Sequence, residues 1–269
     1  MAQSSRFLWL YALAWGGGAI AYVPLLTILV PLRITEMAGP ESIRWLAYIA
    51  FCGAVAASAG NVLFGMLSDR TGTRRPWIAG GLASSVALLL TMTVADNPAT
   101  LLALIFLWQL ALNMMLGPLS AWAADSVPPS QVGTLGGLLA FAPAMGALAG
   151  VFVTLPHNLD PDQRILLVGL LVVACVAPVL VAGRPRKMPD AAEVRAAADT
   201  RPRRKLHAFG LMWLARILVQ IAEATLFVFF LVYFRSIEPD IGEGAIARLF
   251  CIVLLAAVPI ALFMGRWAD

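Results

Sequence analysis

Charge is scarce in this chain of 269 residues: Asp, Glu, Lys and Arg make up 13% of it, against about 25% in a soluble globular protein. With 61% hydrophobic residues and a mean hydropathy of +0.85, too little polar surface remains to face water, and a soluble domain is excluded. Cysteine is nearly absent as well. Cys52, Cys175 and Cys251 each lie inside an apolar run without metal-ligand spacing, so no disulfide framework or thiolate metal site follows. His157 and His207 stand in loops, and no nucleophile, base and oxyanion set is visible. An enzyme therefore lacks support, and no cofactor or metal is expected. The net charge of +4 does not point to nucleic acid, because the basic residues are confined to a few short loops, where they act as signals of membrane topology.

What the chain has in abundance is long apolar runs. A spanning helix needs about 20 mostly apolar residues. Eight runs qualify: Phe7 to Leu32, Trp45 to Leu67, Pro76 to Val94, Leu101 to Ala123, Gly133 to Leu155, Ile165 to Ala182, Phe209 to Phe234 and Ala245 to Met264. The first outruns the roughly 7- to 15-residue core of a signal peptide and has no small-residue cleavage site, so it counts as a span. If the N-terminus is cytoplasmic, the inside loops hold 13 Lys or Arg: Arg6, then Arg70, Arg74 and Arg75, eight between Arg184 and Lys205, and Arg266. The outside loops hold five: Arg33, Arg44, Arg164, Arg235 and Arg248. Lys and Arg mark the cytoplasmic side, which supports that orientation. The excess of Arg over Lys, with an Ala-rich composition, fits a GC-rich bacterial source and an inner-membrane location.

The chain also repeats itself. Gly65-Met66-Leu67-Ser68-Asp69 closes the second run and Gly265-Arg266-Trp267-Ala268-Asp269 closes the eighth; Arg33-Ile34-Thr35-Glu36 after the first run is answered by Arg235-Ser236-Ile237-Glu238 after the seventh. The offset is about 200 residues. Between the units lies a polar, Arg-, Pro- and Ala-rich stretch that reads as a linker. The expected division is residues 1–182 as a six-helix bundle, 183–208 as a cytoplasmic basic linker and 209–269 as the start of a second bundle. A parallel repeat of six-helix halves is a recurrent transporter plan; on that plan about four further helices are expected beyond the eighth.

The segment Gly65-Met66-Leu67-Ser68-Asp69-Arg70-Thr71-Gly72-Thr73-Arg74-Arg75 resembles the signature loop of the major facilitator superfamily, matching it at Gly65, Leu67, Asp69, Arg70, Gly72 and Arg74. The resemblance implies an all-α membrane bundle of two six-helix halves that rock about a central site by alternating access. It also implies that Asp69 caps a second-half helix and that a loop arginine pairs with Asp125 at the end of the fourth run. Thr73 stands where the family has its first basic residue after the second Gly, so the partner of Asp125 is Arg74 or Arg75. A narrower resemblance, through Asn113, Gly117, Pro118, Ala121, Ala124 and Asp125, is to the glycoside and sucrose cation-symporter branch. That branch has an Asp four residues before the Asn and an Arg three after the Gly; Gln109 and Ser120 stand there, so the charged pair is lacking.

Polar groups inside the spans must face the bundle interior, since facing lipid costs several kcal/mol each. Gln109, Asn113 and Ser120 fall near one face of the fourth run, where lining a cavity and hydrogen-bonding a neighbouring helix are equally open. Arg216, Gln220 and Glu223 share one face of the seventh. At about 1.5 Å per residue, Arg216 lies roughly 10 Å deep and Glu223 roughly 21 Å. Intramembrane ionisable residues mark substrate or ion pathways. Glu223 is thus the first candidate for a proton- or cation-coupling carboxylate and Arg216 for an anion contact or counter-charge, with a structural ion pair as the rival. Trp15, Tyr22 and Trp108 offer rings for a substrate or for packing, and the Gly16-Gly17-Gly18 run, Pro24 and Pro143 give bendable helices. The expected function is secondary active transport of a small molecule, a sugar being one candidate, coupled to a proton or cation, by a protein that is monomeric when complete. The alternative is a non-transporting assembly factor or sensor on the same scaffold.

Overall fold

A computed structural model describes residues 2–155, 159–185 and 206–268, with 129, 206–209, 257, 258 and 260–268 by backbone alone. Every regular element among them is helical. Helix α1 (Ser5–Pro24) starts where the Ser4 hydroxyl accepts from the Phe7 N–H at 3.3 Å. It runs through one π-helical turn (Leu25–Leu29) into α2 (Val30–Ala38), and the three make the first span. Pro24 sits directly before the π turn: it has no N–H to give to the preceding turn, and the ladder there widens. Then follow α3 (Ser42–Thr71), α4 (Arg75–Thr91), α5 (Pro98–Ser126), α6 (Val132–Leu139) and α7 (Ala142–Thr154), α8 (Pro161–Ala182), α9 (Leu206–Ile237) and α10 (Glu243–Ala268).

All eight apolar runs fall in helices, most of which outrun them at one or both ends, and two of the runs are reshaped. The first extends six residues past Leu32, to Ala38, because the polar stretch beyond the apolar run still suits a helix until Gly39, whose φ of 51° ends it. The fifth is split at Ala140 and Phe141, one turn before Pro143, whose missing N–H leaves the Leu139 carbonyl without its helical donor. Helix α9 begins at Leu206, three residues ahead of its apolar run; linker residues 186–205 lie outside the described residues.

Helix α5 packs between α3 and α4, and α1 lies along α7 and α8. The last two spans attach at separate seams, α9 on α3 and the π turn, α10 on α7. Because lipid tails are as apolar as Leu, such helices gain by close approach rather than by leaving water. Gly117 shows how close: a Cβ there would stand 2.8 Å from the Asn61 carbonyl oxygen, so α3 and α5 cross on a position only hydrogen can fill. Gly65, by contrast, has open space where a side chain would go. Phe7, Tyr11, Trp108 and Trp122 are buried in one apolar core, Trp108 fully, which makes it a packing residue. Phe51, Leu63, Phe152 and Leu170 stay exposed, as side chains that face lipid do.

Candidate functional site

Helices α1, α3, α5, α7 and α9 surround a cavity of about 270 Å³ in the middle of the bundle. Arg216, Gln220 and Glu223 line it from α9, and Gln109 and Asn113 from α5. The α9 residues reach it together because spacings of four and three return to one helical face. Small neighbours, among them Ala19, Ala54, Ala57 and Ala224, keep the space open. Arg216 and Glu223 are exposed to it, two turns apart and opposite in charge.

The carboxamides are ordered. The Asn113 amide donates to the Gln109 carbonyl at 2.9 Å, and the Asn61 amide donates to the Asn113 side-chain oxygen at 3.4 Å, joining α3 to α5 at the cavity wall. Trp15 and Tyr22 of α1 and Phe227 of α9 complete the lining, with the Tyr22 and Phe227 rings 5.8 Å apart. Such a chamber combines flat apolar faces, neutral hydrogen-bonding groups and one charge of each sign. Ser120 is not in it: its hydroxyl donates to the Gly117 carbonyl at 2.7 Å and the residue is exposed. The face is right, but eleven residues carry it roughly 16 Å along α5 from Gln109. Asn61 was not singled out from sequence; an amide in an apolar run, with Ser58 three residues before it, was its signal.

The signature loop gathers at one end of the bundle. Arg74, 10% exposed, donates through Nε and Nη2 to Asp125 at 3.0 and 2.8 Å, through Nη1 to the Ser68 hydroxyl at 2.6 Å, and through Nη2 to Asp69 as well. Burial alone would lower the Arg74 pKa, but its hydrogen bonds to Asp125 and Asp69 and their charges raise it above the ordinary arginine value. Arg75 turns away: Nη2 donates to the Leu180 and Gly183 carbonyls, each at 2.8 Å, and the guanidinium lies 5.7 Å over the Trp122 ring. Of the two arginines left open by sequence, Arg74 meets Asp125. Arg70 is exposed. Gly72 ends α3 with a φ of 64°, its N–H donating to the Asp69 carbonyl at 3.2 Å. Among the described residues the Asp69 carboxylate meets Arg74 and no helix end from the last two spans. The matching Gly265-to-Asp269 segment lies outside the residues whose side chains are described.

At the opposite end Arg33 pairs with Asp162 at 3.0 Å, Arg164 with Glu243 at 3.0 Å and Arg235 with Glu243 at 3.8 Å. Among the described residues no three His, Cys, Asp or Glu side chains are grouped to hold a metal ion.

Residues 7–269 match the family model of the Major Facilitator Superfamily. The chain belongs to this superfamily. It is a multi-pass, all-α membrane protein of a transporter family that takes small-molecule substrates. A chloramphenicol resistance protein from Pseudomonas aeruginosa is 26% identical to it over 289 aligned positions, which take in 98% of this chain and 64% of that protein. The chain thus spans less than two thirds of that relative's length. The expected lean toward the glycoside and sucrose branch of the superfamily finds no support in this likeness, and among the described residues no charged side chain pairs with Gln109, which stands where that branch carries an Asp.

Proposed function

We propose that the protein is a secondary active transporter that carries a small solute through the central cavity by alternating access, driven by protons or another cation. The observation that carries this reading is the convergence of Arg216, Gln220 and Glu223 from the seventh span with Gln109 and Asn113 from the fourth on one chamber. Charge within the span of a membrane is expensive, and a chain that keeps it around a hollow uses it on a pathway. Glu223 is the coupling carboxylate: protonated, it is neutral and crosses with the moving walls; ionised, it attracts the next proton. Arg216 supplies the counter-charge that keeps the ionised state tolerable. Residues 1–182 and 209–269 belong to two halves joined by the 183–208 linker, with the signature-loop end cytoplasmic on the 13-to-5 charge count. Arg74, bridging Asp69 and Asp125, with Gly65, Arg70, Gly72 and Arg75 around it, is the cytoplasmic gating element.

As to the solute, stacking surfaces at Trp15, Tyr22 and Phe227 beside the carboxamides suit a ring carrying amide or hydroxyl groups, and the relative's name places chloramphenicol among the probes to try. The test is transport in proteoliposomes under an imposed proton gradient, with labelled chloramphenicol and sucrose compared. Saturable, gradient-dependent movement of chloramphenicol, weakened in Asn113→Ala, is the expected result. Movement of sucrose instead would return the sugar branch. Movement of neither, with folded protein in the bilayer, would favour the non-transporting scaffold.

A further inference from the structure

We infer that Arg164 and Glu243 form a charge latch that closes the cavity at the end opposite the signature loop, with Arg235 holding Glu243 in place. The inference rests on the alternating-access reading above and assigns residues that reading leaves unused.

Arg164 sits in the first turn of α8, where the Asp160 N–H donates to the Gln163 side chain at 3.2 Å and Arg33 grips Asp162 at 3.0 Å, so the helix start is fixed from two sides. Glu243 is the first residue of α10. Arg164 Nη1 donates to Glu243 Oε1 at 3.0 Å, and this bond joins one of the first six spans to one of the last two. Arg235, at the end of α9, approaches the other oxygen, Oε2, at 3.8 Å. The 200-residue repeat makes Arg33 and Arg235 counterparts. Arg33 reaches Asp162 at the start of the sixth span, and Arg235 approaches Glu243 at the start of the eighth.

The contact between the two sets of helices is polarised along the membrane normal. On α9, Phe227, Val228 and Leu231 are buried, while residues 210–216 are exposed; the first turns of α10 bury Ile246, Ala247, Phe250 and Cys251. The aromatic layer Tyr22, Phe227 and Phe250, with ring centres 5.8 and 5.5 Å apart, lies between the cavity and the ion pair. Closure at this end therefore has two layers, an aromatic one against the cavity and the charged one outside it.

The pair also has the character of something that opens. The Arg164 side chain is 11% exposed and Glu243 30%, so it is neither a solvated surface pair nor a sealed one. The Nε atoms of Arg164 and Arg235 are buried without a hydrogen-bond partner, donors that water would satisfy on separation. A bridge built only for stability would spend them.

The test needs no solute. In protein with Cys52, Cys175 and Cys251 replaced by Ser, a reporter cysteine at Ala54 in the cavity is titrated with a membrane-impermeant maleimide from the Arg164 side. Glu243→Gln should speed labelling roughly tenfold, the size expected from losing one charge-assisted hydrogen bond, and Arg164→Lys should fall between it and wild type. In a second variant, Arg164→Cys with Glu243→Cys, a short reducible bifunctional reagent should stop labelling from that side, and reduction should restore it. Labelling unchanged by Glu243→Gln in protein of unchanged thermal stability would overturn the latch, as would cross-linked protein that labels as fast as before. Failure of coupling at Glu223 would leave these rates untouched, so the two readings fail separately.

Discussion

Arg74 holds three side chains at once, Ser68 and Asp69 at the end of α3 and Asp125 at the end of α5. Its neighbour Arg75, one step around the start of α4, faces the α8 end instead. The loop itself was legible from the spacing of its Gly, Asp and Arg residues. Which arginine would meet Asp125 was not, because that depends on where α4 begins: Arg74 is the cap and Arg75 the first helical residue, and the chain turns between them. Arg74→Lys keeps the charge but loses the planar, preorganised fork that reaches two carboxylates and a hydroxyl at once. Since both carboxylates are partly exposed, Arg74→Ala should cost about 1–2 kcal/mol. Arg74→Lys should recover less than half of it, read by thermal unfolding in detergent. Gly72 needs its left-handed φ of 64°, so Gly72→Ala should cost about 1–2 kcal/mol in the same assay.

Among elements, the crossing of α3 and α5 sets the cavity wall, since Asn61, which hydrogen-bonds across it, is also the residue whose carbonyl crowds Gly117. Gly117→Ala would force the helices apart and is expected to cost about 1–3 kcal/mol, with a parallel loss of solute affinity because Asn61 and Asn113 separate. A Gly117→Ala protein that unfolds like wild type would show that the crossing has slack. The apolar runs announced every span, since nothing shorter than about 20 residues crosses a bilayer. The π turn after Pro24 and the break before Pro143 were visible only as bendable places. A proline removes a donor wherever it falls, and packing decides whether the helix bends, widens or splits. Ser120 had the right face and the wrong depth, a distinction helical periodicity does not carry.

Over the whole molecule, Arg33 and Arg235, matched by the 200-residue offset, line one cavity at the same end of the bundle. Charge asymmetry predicts which end is cytoplasmic. A cysteine at Thr73, in the signature loop, should resist an impermeant thiol reagent in intact cells, whereas one at Ser236, at the opposite end, should react; the reverse pattern would invert the topology. The convergence of α5 and α9 on one chamber could be read from sequence only as two separate polar faces, because nothing in a one-dimensional pattern says that two faces meet. On the proposed function, that meeting is what gives Glu223 its coupling role. Replacing it with Gln keeps its shape and removes its proton. In proteoliposomes, Glu223→Gln should lose accumulation of solute against its gradient while retaining solute exchange near the wild-type rate. Accumulation at the wild-type level would contradict coupling through Glu223.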